Sequence, residues 1–336
     1  MSKEIQSTLG TLLESFFRRH LLAQRQASPS TIAAYRDALR LLLVFAAQRA
    51  GKSASQLFIE ELDRDVVLAF LDHLEKERHN SARTRNVRLA AIHSFFQHVA
   101  YCDPAAMGFA NRVLSIQGKR TTKRLVSYLP QKDLDAILAA PDRSTKQGRR
   151  DHALLLFLGR TGARVSEAIG VNVKDIQLQW PSQVLLRGKG SKERIIPLAK
   201  DSAKVFKALI DERGLTTGLQ VPVFVNARGK RLTRHGVNHI LQKAVKKATL
   251  VAPVPISRTV FPHMLRHSVG MQLLQSGVDL TTIQAWLGHE SVNTTHQYIE
   301  ADLEMKRRAL EKCNTPETSS APYKPTDEVL AFLESL

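Results

Sequence analysis

The sequence predicts a mainly α-helical chain with a small antiparallel β-sheet in its second half. Three observations predict it. The first 118 residues hold four segments whose apolar side chains recur at helical spacing. Residues 183–187 and 193–198 are short β-like runs around Gly188-Lys189-Gly190-Ser191-Lys192, a hairpin signal. Between the two textures, residues 118–124 carry four cations and no apolar side chain until the sheet-bearing half begins. At about 100–200 residues per domain, a chain of 336 residues holds about two. The expected organisation is a helical domain over 1–117, a basic linker over 118–127, a mixed domain over 128–312, and a tether with a C-terminal helix over 313–336.

The first expected helix, 11–24, places Leu12, Leu13, Phe16, Phe17 and Leu21 at helical intervals. Ser28-Pro29-Ser30 interrupts it and caps a second helix, 31–49, with Leu39, Leu42, Leu43 and Phe45 inward. Asp63 caps a third, through Glu77, with Val66, Val67, Phe70, Leu71 and Leu74. Ser81 caps a fourth, 82–101, with Val87, Leu89, Ile92, Phe95, Phe96 and Val99. Four such helices on short loops make a compact bundle. In the second half, helices are expected from Gln131 through Ala140, over 152–160, and then, after the Thr161-Gly162 break, through Ile169. The hairpin follows, then an extended run over 221–226 and helices over 233–248, 262–276, 280–287 and 291–309. Residues 314–325, rich in Thr, Ser and Pro, read as a tether, and 327–336 as a short amphipathic helix too brief to stand alone.

The formal net charge is +18, and it is not spread evenly: residues 119–258 carry +18, against +4 for 1–118 and −4 for 259–336. A concentrated basic surface fits a nucleic-acid backbone, whose neutralised phosphates release counterions. Two cysteines, Cys102 and Cys313, exclude a disulfide framework and a cysteine-rich zinc site. No apolar run approaches the ~20 residues of a membrane span, and residues 1–10 lack the apolar core of a secretion signal. There is no Walker A loop, no dinucleotide glycine fingerprint and no HExxH. His235 and His239 stand four apart but lack a third ligand nearby, so no metal and no cofactor is expected.

Four segments concentrate phosphate-directed side chains. In Thr161–Glu167 (TGARVSE), Arg164 and Glu167 share a helix face, so the carboxylate can aim the guanidinium at a phosphate; alone, the pair would be an ordinary helical ion pair. Lys189 sits between glycines at the hairpin tip, exposed enough to reach a ligand. His263 and Arg266 share the first turns of a helix opened by Pro262, where an N-terminus favours anions. His267 points elsewhere on the helix and reads as a packed residue or one that supports the site from behind. Leu287-Gly288-His289 closes a helix, and Tyr298 follows His289 by nine residues. With no acidic cluster for a divalent ion, phosphoryl transfer here must neutralise charge with side-chain cations. A tyrosine can act as nucleophile if its surroundings favour the phenolate. The residues alone reach metal-free phosphoryl transfer on DNA.

In this order and spacing the segments resemble the tyrosine recombinases, the phage integrase family. The pattern TGxRxSE … GKGxKER … PHxLRHS … LGHxxxxTTxxY covers residues 130–300, with gaps of 25 residues from Arg164 to Lys189, three from His263 to Arg266 and nine from His289 to Tyr298. The helical first half is similar to the family's SAM-like core-binding domain in size and position. The resemblance implies a SAM-like helical bundle followed by a mixed α/β catalytic domain. It implies Tyr298 as nucleophile, Arg164 and Arg266 as clamps on the non-bridging oxygens, and Lys189 as general acid. His263 would help activate Tyr298, His289 would hydrogen-bond the phosphate, and Glu167 would orient Arg164. It further implies strand exchange through a 3′-phosphotyrosyl link and a four-way junction, without metal, ATP or other cofactor. The implied partner is double-stranded DNA with inverted-repeat core sites, bound by a homotetramer built from free monomers in the cytoplasm of a bacterium, with no membrane involved. Arg83, Arg85, Arg88, Lys119, Arg120, Lys123, Arg124, Lys192, Arg194 and Arg234 are the expected DNA-binding cations. Ala163 and Val269-Gly270 depart from the family's usual residues at positions expected to touch no catalytic role. The helix over 327–336 is expected to dock on its own body or on a neighbouring subunit. Two rival readings stand: a type IB topoisomerase, which would relax DNA lacking a specific site, and an architectural DNA-binding protein with an idle site, in which replacing Tyr298 would change nothing.

Overall fold

The computed structural model describes residues 8–121, 126–188, 190, 192–216, 218–251, 259–301, 307 and 310. The chain divides into two compact units, Met1–Arg124 and Leu125–Leu336. The first is helical throughout. α1 (Leu9–Ser15) runs directly into a π-helical stretch, Phe16–Gln24, so the single helix expected here changes pitch at Phe16. Phe16 and Leu21, both buried, stand five residues apart, the repeat of an i→i+5 helix. α2 (Pro29–Ala50) is capped by Ser28 and stops at Gly51, whose φ of 66° is the left-handed cap that glycine favours. α3 (Arg64–Lys76) starts where Asp63 accepts from the Val66 N–H at 2.7 Å, and α4 (Ala82–Cys102) where Ser81 accepts from Thr84 at 3.2 Å.

α4 departs from the expected pattern at its start. Its core stripe runs Leu89, Ile92, Phe96 and Val99, and one turn before Leu89 the inward position is Arg85. Val87 therefore faces outward, 58% exposed, rather than into the core. A fifth helix, α5 (Met107–Leu114), follows the Pro104–Ala106 turn, where the Asp103-Pro104 break ends the legible periodicity.

The second unit is mainly α with one three-stranded antiparallel sheet. α6 (Gln131–Ala139) is followed by α7 (Lys146–Thr161), which begins six residues earlier than expected. Thr145 caps it, accepting from the Gly148 N–H at 3.0 Å, but its polar first turn hides the helical period. Leu154, Leu155, Phe157 and Leu158 are buried on every side of α7, which makes it the central helix of the unit. α8 (Val165–Gly170) leads to the sheet of β1 (Ile176–Gln177), β2 (Gln183–Arg187) and β3 (Glu193–Pro197), in that order. The register pairs Val184 with Ile196 and Leu186 with Arg194, so Arg194 lies on the core-facing side of the hairpin. α9 (Lys200–Glu212), not anticipated from the sequence, sets Phe206 against Phe157 at 5.6 Å between ring centroids. The extended run at 221–226 makes only single bridges, Asn172 to Pro222 and Val225 to Arg231. α10 (Arg234–Val251), α11 (Pro262–Gln275), α12 (Leu280–Leu287) and α13 (Val292–Ala301) complete the described unit. The expected tether and helix of 313–336 lie outside the described residues. Among the described residues no helix is long and apolar enough to cross a membrane.

Candidate active site

Three guanidinium groups converge on the C-terminal end of α12. Arg194 Nε donates to the Trp286 carbonyl at 2.9 Å, Arg266 Nη2 donates to the Leu287 carbonyl, and Arg164 Nη2 donates to the Gly288 carbonyl at 2.9 Å. The last carbonyls of a helix lack intrahelical donors and carry the negative end of its dipole, so they suit cations. Gly288 is required there twice over. Its φ is 64°, and a Cβ would lie 2.9 Å from Arg194 Nη1. Arg266 has a second anchor, donating through Nη1 to the Gly162 carbonyl at 2.7 Å. Gly162 is itself the left-handed cap of α7, where a Cβ would lie 2.7 Å from Leu287 Cδ2. The glycines of the TG and LGH segments thus let two helix ends approach the same arginine.

Glu167 ties this set together. Its Oε1 accepts from Arg164 Nη1 at 2.8 Å and Arg194 Nη1 at 3.0 Å; its Oε2 accepts from Arg194 Nη2 at 2.8 Å and the Arg164 backbone N–H at 2.7 Å. Burial would raise its carboxyl, but the Arg194 and Arg164 hydrogen bonds outweigh that and hold it below the usual carboxylate range. Arg266 is 1% exposed. Burial, reinforced by repulsion from Arg164, lowers its guanidinium to about 10, and its Nε is buried without a hydrogen-bond partner among the described residues. In front of Arg164 lies a cavity of about 250 Å³, bordered also by Ser166, Arg234, Pro262 and His263. This is room for a small anionic group among three basic side chains.

Tyr298 projects from α13 into a small core with Val269, Met271, Leu274, Ile283 and Leu287, and is fully buried. Burial lifts its phenol to about 12, while Arg266 and then Arg164 pull the other way. Its hydroxyl lies 3.3 Å from His267 Nδ1, and its ring packs alongside His289 at 6.1 Å between centroids. His289 Nδ1 and Thr295 Oγ1 are 2.9 Å apart. His263 and His267 meet edge to face at 4.5 Å. The backbone of α11 approaches Tyr298 at Gly270, where a Cβ would lie 2.5 Å from Tyr298 Cζ. One expectation is corrected here: the departure at Val269-Gly270 does touch the tyrosine. His267, expected to be packed or to support the site from behind, is the imidazole within hydrogen-bond reach of its hydroxyl.

The buried histidines carry a pH consequence. Desolvation first, then neighbouring cationic and imidazole groups, lowers His267 to about 4 and His289 to about 3, from 6.5. A proton is thus bound more readily by the unfolded chain. The resulting stability is fully present above about pH 6.5 and is lost as the pH falls toward these values, by up to about 1.4 kcal/mol per pH unit per histidine. The melting temperature of the full chain is expected to drop markedly between pH 7.5 and pH 5, and a flat profile by calorimetry would contradict these assignments.

The structure therefore brings Arg164, Glu167, His263, Arg266, His289 and Tyr298 into one unit, adding His267, Arg194 and Arg234. Lys189 lies outside the described residues. Of the described hairpin residues, the Gly188 N–H donates to the Lys192 carbonyl at 2.8 Å and Lys192 Nζ lies 3.6 Å from Glu290. Two expected DNA-binding cations are engaged internally. Arg194 is bound to Glu167, and Arg85, 4% exposed, forms an ion pair with Glu75 at 3.4 Å because it occupies the core stripe of α4. In the first unit Arg83 and Arg120 are exposed, Arg88 is half-buried, and Lys119 Nζ lies 2.7 Å from Glu75. Lys123 and Arg124 lie outside the described residues.

Comparison with known proteins agrees with this geometry. The phage integrase family matches residues 127–305, and the phage integrase N-terminal SAM-like domain matches residues 13–100. "Putative integrase/recombinase y4rC" of Sinorhizobium fredii (strain NBRC 101917 / NGR234) is 46% identical over 98% of this chain and 99% of its own length. Tyrosine recombinase XerC of Pelobacter propionicus (strain DSM 2379 / NBRC 103807 / OttBd1) is 33% identical over 90% of this chain and 96% of its own. Among solved structures, the XerH site-specific recombinase bound to its difH substrate has a TM-score of 0.63 and 25% identity, over 86% of this chain and 81% of that one. These relatives favour recombination over the type IB topoisomerase reading. The fold, the clustered arginines and tyrosine, and matches spanning most of its length place the chain in the phage integrase family, as a site-specific tyrosine recombinase that cuts and rejoins DNA.

Proposed function

We propose that Tyr298 attacks the scissile phosphodiester and that Arg164 and Arg266 neutralise the charge that develops on its non-bridging oxygens. The observation that carries this is geometric: Arg266 and Arg164 are anchored on the carbonyls of Leu287 and Gly288, and Leu287 packs in the same core as Tyr298. The unpartnered Nε of Arg266 supports the same reading, since an anionic oxygen would satisfy it. Attack forms an O–P bond at Tyr298, whose phenol proton passes to the imidazole of His263, and breaks the bond to the 5′-oxygen, which takes its proton from Lys189, the general acid by the family pattern. His263 and His289 border the phosphate. The phosphotyrosine link conserves the bond energy, so a 5′-hydroxyl from the partner strand can reverse the step without ATP. Two such exchanges pass through a Holliday junction. We place the reaction in a homotetramer on inverted-repeat core sites, in the cytoplasm, with Arg83, Arg88, Lys119, Arg120, Lys123, Arg124, Lys192 and Arg234 gripping the DNA backbone.

The test is a suicide DNA carrying a nick beside the cleavage position, incubated with the full chain in EDTA. A denaturation-resistant protein–DNA adduct is expected, with the modified peptide containing Tyr298 and the link at a 3′-phosphate. Failure to form it without added metal would overturn the mechanism.

A further inference from the structure

A nucleophile must be aimed as well as charged, and three imidazoles surround Tyr298. They are not equivalent. His289 lies alongside the phenol ring, at an interplanar angle of 22°, with its Nδ1 engaged by Thr295. His263 meets the edge of His267. Among the described residues, His267 alone of the three lies within hydrogen-bond distance of the phenol oxygen, 3.3 Å from its Nδ1. Burial, then His263 and Arg266, hold its imidazole uncharged at neutral pH, so a ring nitrogen is available as an acceptor.

The backbone beside it is shaped for the same oxygen. Gly270 follows His267 by three residues on α11, hence on the same face. A Cβ there would lie 2.5 Å from Tyr298 Cζ and 2.9 Å from its hydroxyl oxygen. One turn of α11 therefore supplies a bare backbone for the phenol to lie against and a nitrogen for its hydroxyl to point at.

We propose that His267 is a positioning residue for the nucleophile: its Nδ1 accepts the Tyr298 hydroxyl hydrogen bond and, with the gap at Gly270, fixes where the attacking oxygen sits. This rests on the reading of Tyr298 as the nucleophile. Losing one such hydrogen bond in the reacting geometry slows cleavage on the order of tenfold.

The test compares His267→Leu, which removes the acceptor, with His267→Asn, whose side-chain oxygen falls near the place of Nδ1. Single-turnover adduct formation is measured at saturating protein on suicide DNA, beside DNA affinity and melting temperature. Each is repeated on DNA with a bridging 5′-sulfur, whose thiolate leaves without a general acid. His267→Leu is expected to cleave on the order of tenfold slower with unchanged affinity, to remain slow on the sulfur DNA, and to be largely rescued in His267→Asn. Wild-type rates in His267→Leu, equal defects in both variants, or recovery on sulfur DNA would each overturn the proposal. If His267→Leu fails to fold, Gly270→Ala supplies the second arm: the added methyl displaces the phenol and must slow cleavage at unchanged affinity, and a wild-type rate there refutes the slot. An adduct that the parent chain forms at a residue other than Tyr298 strikes the nucleophile assignment instead, whatever the His267 variants do.

Discussion

Tyr298→Phe is expected to eliminate the covalent DNA adduct while leaving DNA affinity and melting temperature close to those of the parent chain. The substitution removes one atom. The ring stays in its core among Val269, Met271, Leu274, Ile283 and Leu287, and the arginines keep their anchors on the ends of α7 and α12. The lost hydrogen bond to His267 is 3.3 Å long, and a bond of that kind contributes about 0.5–1.5 kcal/mol. Chemistry, by contrast, loses its only proposed attacking oxygen. Denaturing gels of suicide-DNA reactions, run beside native gel shifts, separate the two effects. An adduct or recombination that survives the substitution would move the nucleophile to another residue.

Arg266→Met is expected to cut single-turnover cleavage by at least 10²–10³-fold, the loss that follows removal of a preorganised donor from a developing oxyanion. Its effect on stability is smaller. Burial lowers the guanidinium to about 10, so its charge is a cost to the folded state at neutral pH. Sign follows from linkage: the unfolded chain binds this proton more tightly, and folding gains only as the pH rises above about 10. Methionine fills the same space without the charge, and that gain offsets the loss of a donor to the buried Gly162 and Leu287 carbonyls. The melting temperature should therefore stay close to that of the parent chain while activity collapses. Arg266→Lys should not restore cleavage, because one ammonium cannot span the Gly162 and Leu287 carbonyls and still present an N–H to phosphate. A Met variant that cleaved normally would remove Arg266 from the phosphate site.

How much of this was legible in the sequence depends on what each residue's role leaves behind in the chain. Helix starts were legible because a cap is a local event: Ser28, Asp63 and Ser81 each sit where their side chains accept an N–H three residues on. The start of α7 was hidden because its cap, Thr145, precedes a polar first turn with no apolar rhythm. Arg85 and Val87 exchanged their expected faces, since a four-residue count back from Leu89 falls on the arginine. In the site, Arg164, His263, Arg266, His289 and Tyr298 were singled out by spacing within short segments. Arg194 and His267 were not, because their partners are distant in sequence: Glu167 lies 27 residues before Arg194 and Tyr298 31 after His267. Gly270 was legible only as a departure from the family's usual residues, because its closeness to the Tyr298 ring is a tertiary contact.

The three carbonyls at the end of α12 make the cationic half of the site indivisible. Arg194, Arg266 and Arg164 hang from consecutive residues, Trp286, Leu287 and Gly288, and the same helix is seated by Ile283 and Leu287 in the core that holds Tyr298. A displacement of α12 by one ångström would move the acceptors of all three guanidiniums together and disturb the seat of Tyr298 in the same motion. Damage to that helix would therefore reach all four side chains in one step. Exposed surface cations can change one at a time, but this set moves as a block.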